Sequence, residues 1–147
     1  MIARRIAIAS LIAATGAFAV SGCGMMGNRD KGMAGVMSVP LSAQNEVPPN
    51  SSTGSGTARV ELDGNVLKWN VTYSGTTGPV TAGHFHGPAQ PGANAGVVVP
   101  FAGPLTSPIV GSATLTPTQV DQVKQGLWYV NLHTAAHPGG ELRGQVK

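Results

Sequence analysis

The chain has 147 residues, of which 41% are apolar and only 10% charged, with 21 Gly and 11 Pro. Soluble domains average roughly 25% charged residues, so this composition excludes a coiled coil or helical bundle, while the apolar fraction excludes a disordered chain. A single domain of short apolar runs broken by Gly and Pro is the composition of an all-β fold.

Arg4 and Arg5 precede an apolar run from Ile6 to Val20, broken only by Ser10, Thr15 and Gly16. A basic start and a short apolar stretch predict a secretory signal over residues 1–22, too short for a membrane span. The run ends in Val20-Ser21-Gly22-Cys23, which resembles the lipobox of bacterial lipoproteins. In that motif the small residues admit the peptidase and the Cys thiol takes the lipid. The alternative is cleavage after Ala17-Phe18-Ala19, which would leave Cys23 as a lone exported thiol without a disulfide partner. Lipidation of Cys23 accounts for that thiol. The expected location is therefore the bacterial cell envelope, with the membrane as partner through an anchor of two or more acyl chains. Gly24 rather than Asp follows the Cys, which by resemblance to Gram-negative sorting favours the outer membrane.

Of the nine basic residues, Arg4 and Arg5 leave with the signal, so the remainder exceeds the six acids by one. No basic stripe with interleaved aromatics remains, and nucleic acid is not an expected partner. Residues 23–36, rich in Gly and Met, read as a flexible tether below a domain over 37–147. Met25, Met26, Met33 and Met37 are spaced too irregularly to define a soft-metal site.

Val36 to Leu41 is a candidate first strand. In Thr57–Leu62, Ala58, Val60 and Leu62 alternate with polar residues, the period of a half-buried strand. Asp63-Gly64 predicts a tight turn into Asn65–Tyr73, whose Leu67, Trp69, Val71 and Tyr73 face inward. Pro79–His86, Gly96–Phe101 and Ile109–Leu115 are shorter strand candidates. A helix follows, with Thr116 as N-cap, Pro117 in the first turn and Gly126 just past its end. Leu127–Thr134 and Glu141–Val146 complete the pattern as two strands joined through Pro138-Gly139-Gly140. Seven or eight strands and one short helix predict an antiparallel Greek-key β-sandwich.

The four histidines fall into two groups, His84 with His86 and His133 with His137. On an extended strand His84 and His86 project to one face about 7 Å apart, close enough for both imidazoles to reach one copper or zinc ion. Tyr129, Asn131 and His133 share one face of their strand, and Glu141, Arg143 and Gln145 share one face of the next. If these two strands pair, His133 and Glu141 lie together near the turn. Glu141 could then ligate, or orient an imidazole from behind, with Arg143 and Asn131 completing a polar patch. The competing reading makes the histidines turn residues and Glu141–Arg143 a cross-strand ion pair, of little energetic weight if exposed. His137 lies in a loop and ranks below the other three.

Leu41-Ser-Ala-Gln-Asn-Glu-Val-Pro-Pro49, Val71-Thr-Tyr-Ser-Gly75, Val80-Thr-Ala-Gly-His-Phe-His-Gly-Pro-Ala89 and Gly96-Val-Val-Val99 stand in order along the chain. Leu115-Thr-Pro-Thr-Gln-Val120, Gly126-Leu-Trp-Tyr-Val-Asn-Leu-His-Thr134 and Pro138-Gly-Gly-Glu-Leu-Arg-Gly-Gln145 follow. Together these segments resemble the CHRD domain, named after chordin, over roughly Met37 to Val146. The family pattern includes the positions of His84, His86, His133, Glu141 and Arg143, while His137 falls where other residues are common. Growth-factor binding by chordin is attributed mainly to its Cys-rich modules, and this sequence has one Cys. The resemblance implies no catalytic mechanism.

Two functions compete at this level. The first is a non-enzymatic, lipid-anchored binding or structural module whose ligand is an unidentified envelope protein or small molecule. The second is a periplasmic copper- or zinc-binding protein using His84, His86 and His133. The His84-Phe85-His86 pattern resembles that of copper/zinc superoxide dismutases, also β-sandwiches, which would allow redox activity. Too few histidines are present for their two-metal site. Ser and carboxylate patterns of hydrolases are missing.

Overall fold

The computed structural model describes residues 35–147. The predicted signal, Cys23 and nearly all of the tether lie outside the described residues. The first strand, expected from Val36, begins one residue earlier at Gly35, which was read as tether.

The strands are β1 (Gly35–Ser42), β2 (Ser55–Asp63), β3 (Val66–Ser74), β4 (Val80–His86), β5 (Val97–Pro100), β6 (Ile109–Thr114), β7 (Trp128–Thr134) and β8 (Leu142–Val146). A 3-10 turn spans Ala43–Asn45, and one helix, α1, spans Pro117–Lys124. All strand pairs are antiparallel, in the order β5-β4-β7-β8-β1-β2-β3-β6. The all-β architecture expected from composition is the one observed.

The sheet is continuous and folds over on itself. β1 and β8 touch through one register pair, Ser42 with Arg143, so the sheet divides there into two four-stranded halves. Four strands separate β3 from β4 in the sheet, yet Trp69 of β3 meets Phe85 of β4 with ring centroids 5.3 Å apart. Phe101 stacks on Trp69 at 5.2 Å, and Trp128 closes the cluster from β7. Edge-to-face and offset contacts of this kind add to the burial of four large side chains. Val60, Leu67, Val71, Val130, Leu132 and Leu142 complete the core, all at 0% exposure.

The β2–β3 hairpin follows the predicted alternation, with Ala58, Val60, Leu67, Trp69 and Val71 buried. Its turn sits one residue later than expected. Asp63 pairs with Val66, so Gly64-Asn65 is the two-residue loop, with Gly64 at φ 59°. Helix α1 starts as expected at Thr116, whose side chain accepts from the Gln119 backbone while Gln119 returns a bond to the Thr116 N–H. That reciprocal capping satisfies two donors left over at the helix start. Val120 and Val123 turn into the core, and Gly126 takes the left-handed conformation (φ 69°) that ends the helix.

Candidate metal site

β4, β7 and β8 lie side by side, and their register sets the site. His84 pairs with Asn131, which pairs with Arg143; His86 pairs with Tyr129, which pairs with Gln145. Partners across antiparallel strands point to the same side. The face away from the aromatic core therefore carries His84, His86, Tyr129, Asn131, His133, Arg143 and Gln145.

A polar patch was expected on this face, and the structure shows that much of it is covered. On it Tyr129, Asn131 and Arg143 are buried and His84, His86, His133 and Gln145 half-buried; the neighbouring Thr134 and Glu141 are buried as well. Segments 43–54 and 87–96 lie over it, so β7 and β8 are covered on both sides.

The three histidines meet at one point. His84 Nδ1 lies 3.2 Å from His133 Nε2. One ring nitrogen from each of His84, His86 and His133 falls within 4.8 Å of the others. The outer nitrogens fix two tautomers. His86 Nδ1 donates to the Ala95 carbonyl at 3.0 Å, and His133 Nδ1 donates to the Pro138 carbonyl at 2.9 Å. In each neutral ring Nε2 then carries the lone pair, and that of His133 accepts from His84 Nδ1. His86 Nε2 is buried and has no hydrogen-bond partner. Burial, followed by the neighbouring imidazoles, lowers the pKa of His84. Burial also lowers that of His86, partly offset by its bond to Ala95. Uncharged imidazole is the form that binds metals.

Metal–nitrogen bonds of roughly 2.0–2.1 Å convert a 3.2 Å separation between two nitrogens into an angle of roughly 100° at a shared ion. The widest spacing, 4.8 Å, must contract by about 1.5 Å at most to reach tetrahedral spacing, within reach of modest side-chain rotations. Imidazoles whose second nitrogen donates to a carbonyl are the usual support for a bound ion. The residues present thus fit a three-histidine metal centre.

Neither carboxylate near this face serves the histidines. Glu141 Oε1 accepts from Ser52 Oγ at 2.6 Å and the Thr77 N–H at 2.7 Å. Its Oε2 accepts from Thr77 Oγ1 at 2.8 Å and Thr134 Oγ1 at 2.5 Å. Burial alone would raise the Glu141 pKa; these bonds outweigh it and hold the value at about 2. The expected roles of Glu141 beside an imidazole and in an ion pair with Arg143 are both replaced by this network. Pro138 supplies the acceptor behind His133 instead. Asn131 donates to both oxygens of the buried Glu46, at 2.8 and 2.9 Å. Burial pushes Glu46 up to about 7, against the pull of Asn131 and Arg143.

Arg143 turns to the covering loop. Its guanidinium donates to Asn94 Oδ1 at 2.8 Å and the Ala93 carbonyl at 2.6 Å, and sits 3.6 Å above the Tyr129 ring. Tyr129 in turn stacks on His86 with centroids 4.9 Å apart and planes 2° from parallel. The Tyr129 hydroxyl accepts from the Ala95 N–H at 3.1 Å and donates to its carbonyl at 3.3 Å. A stack of Arg143, Tyr129 and His86 thus clasps the loop that orients His86. Sequence periodicity placed Tyr129 and Arg143 on the right faces; no spacing indicates Ala95, Glu46, Ser52 or Thr77. His137 closes a turn with Thr134 and stands apart from the cluster.

A groove of about 770 Å³ lies elsewhere, between α1 and the β2–β3 turn, lined in part by Met37, Leu62, Val123 and Lys147. It shares no residue with the histidine cluster. No described helix is long and apolar enough to cross a membrane.

Eight antiparallel strands with polar residues buried on β7 and β8 beside half-buried histidines on β4 define a β-module class rather than a particular chemistry. The CHRD domain family matches residues 37–146, and the chain belongs to that family. No curated protein and no solved structure is similar enough to match.

Proposed function

We propose that this CHRD module is lipid-anchored in the bacterial cell envelope and that its ligand is a copper or zinc ion held by His84, His86 and His133. The buried, partnerless Nε2 of His86 carries the reading. An unsatisfied buried polar atom costs about 1–3 kcal/mol, and a bound ion would remove that cost. The two neighbouring rings, 5.4 Å and 6.2 Å from His86 by centroid, support the same reading. Cys23 and the small residues before it support the anchor.

The binding test is calorimetric titration of the lipoprotein, purified in detergent without a polyhistidine tag, with Cu(II) and Zn(II). One ion per chain is expected for the wild type, with binding lost in the His84→Ala/His86→Ala double variant. Equal binding by both proteins would make the cluster a structural network. For the anchor, the wild type should partition with membranes and Cys23→Ala should be released. A membrane-bound Cys23→Ala protein would overturn that part.

A further inference from the structure

Resting on the metal reading above, we infer that the three-histidine centre is open and electropositive, with a fourth position that takes a small inorganic anion. Three features carry the inference, and each concerns charge or access.

First, the ligand set is neutral. All three side chains are imidazoles, and the groups behind His86 and His133 are the carbonyls of Ala95 and Pro138 rather than carboxylates. A divalent ion there would keep its full charge. Among the described residues no fourth His, Cys, Asp or Glu joins the cluster.

Second, the nearby carboxylates are committed elsewhere. Both oxygens of Glu141 are taken by Ser52, Thr77 and Thr134. Both oxygens of Glu46 face Asn131. The nearest fixed charge along the stack is positive, the Arg143 guanidinium above Tyr129 and so behind His86. In a partly desolvated site this arrangement favours an incoming negative charge.

Third, access is one-sided. His86 Nε2 is sealed from solvent, whereas His84 and His133 are half-buried. An ion held by all three has protein behind it and water before it. Three protein ligands and one exchangeable position is the coordination that catalytic zinc sites keep, in contrast to closed structural sites.

The test uses the full lipoprotein loaded with Co(II), whose visible spectrum reports coordination, titrated with sodium azide. The expected result is a saturable spectral change at one azide per cobalt, absent from Co(II) in the same buffer. The His84→Ala/His86→Ala protein should show no such change. Stoichiometric cobalt with a spectrum indifferent to azide would overturn the open position and leave metal binding standing. Failure to take up cobalt, copper or zinc would overturn the metal reading and this inference with it. The two failures are distinguished by the metal content measured before azide is added.

Discussion

The two halves of the folded sheet treat their outer faces differently. On β2 and β3 the outward residues Thr57, Arg59, Lys68, Asn70 and Thr72 are exposed to solvent. Lys68 bridges Asp63 at 3.1 Å and Glu61 at 3.7 Å in plain contact with water. On β7 and β8 the corresponding Tyr129, Asn131 and Arg143 are buried beneath loops and His133 and Gln145 are half-buried, so their polar groups must find partners largely inside the protein. Glu141, just before β8, finds four donors and Arg143 finds two acceptors and a ring, whereas Asn131 Oδ1, Gln145 Oε1 and, on the adjacent β4, His86 Nε2 find none. The difference is one of constraint: a solvated face tolerates many residues, whereas on a covered face the partner of each polar group has to be supplied from within.

The sharpest way to break this contrast is to remove the best-satisfied buried charge. Glu141→Leu leaves Ser52, Thr77 and Thr134 without their acceptor and should cost about 3–5 kcal/mol in denaturant unfolding at pH 7. The pH dependence follows the same group. Its folded pKa of about 2 lies below the ordinary 4.5, so its contribution is present above pH 4.5 and is lost as pH falls towards 2. The wild type should lose stability over that window, and the gap to Glu141→Leu should narrow. An unchanged gap would mean that the carboxylate is not the stabilising group.

Glu46 should behave oppositely. Its pKa, raised to about 7, means that ionisation opposes folding as pH rises from 4.5 through 7. Glu46→Gln removes the ionisation and should stabilise the protein by about 1–3 kcal/mol at pH 8, with a much smaller gain at pH 4. Equal effects at both pH values would refute the account. A loss of similar size, about 1–3 kcal/mol, in place of that gain is expected for Gly111→Ala, because an added Cβ would collide with the Trp69 indole. A melting temperature equal to that of the wild type would show that the indole can move aside.

The smallest effect belongs to the solvated half. Lys68→Ala should leave the melting temperature within error of the wild type, since exposed ion pairs contribute little. A clear drop would blur the distinction between the halves.

Sequence periodicity made the β2–β3 hairpin legible because one of its faces is wet and the other dry, so apolar residues recur every second position. The α1 boundaries were equally legible from Thr116, Pro117 and Gly126, since capping is a local matter. The convergence of His84, His86 and His133 was partly visible, because alternation puts each on a definable face. The role of Glu141 was not. Ser52 and Thr77 lie 89 and 64 residues away in the chain, and no local signal connects them to it.

The amino-acid order by itself thus determined the all-β class, most strand positions, the family and the strand faces on which His84, His86 and His133 lie. Those features depend on alternation, turn chemistry and short motifs, all set within about ten residues. Tertiary structure alone decided that β7 and β8 would be covered on both faces, that Arg143 would grip a loop rather than Glu141, and that His86 would be left with an unpaired nitrogen. The physical reason is burial: a polar atom's partner becomes obligatory only once water is excluded, and the loops that exclude it come from distant parts of the chain.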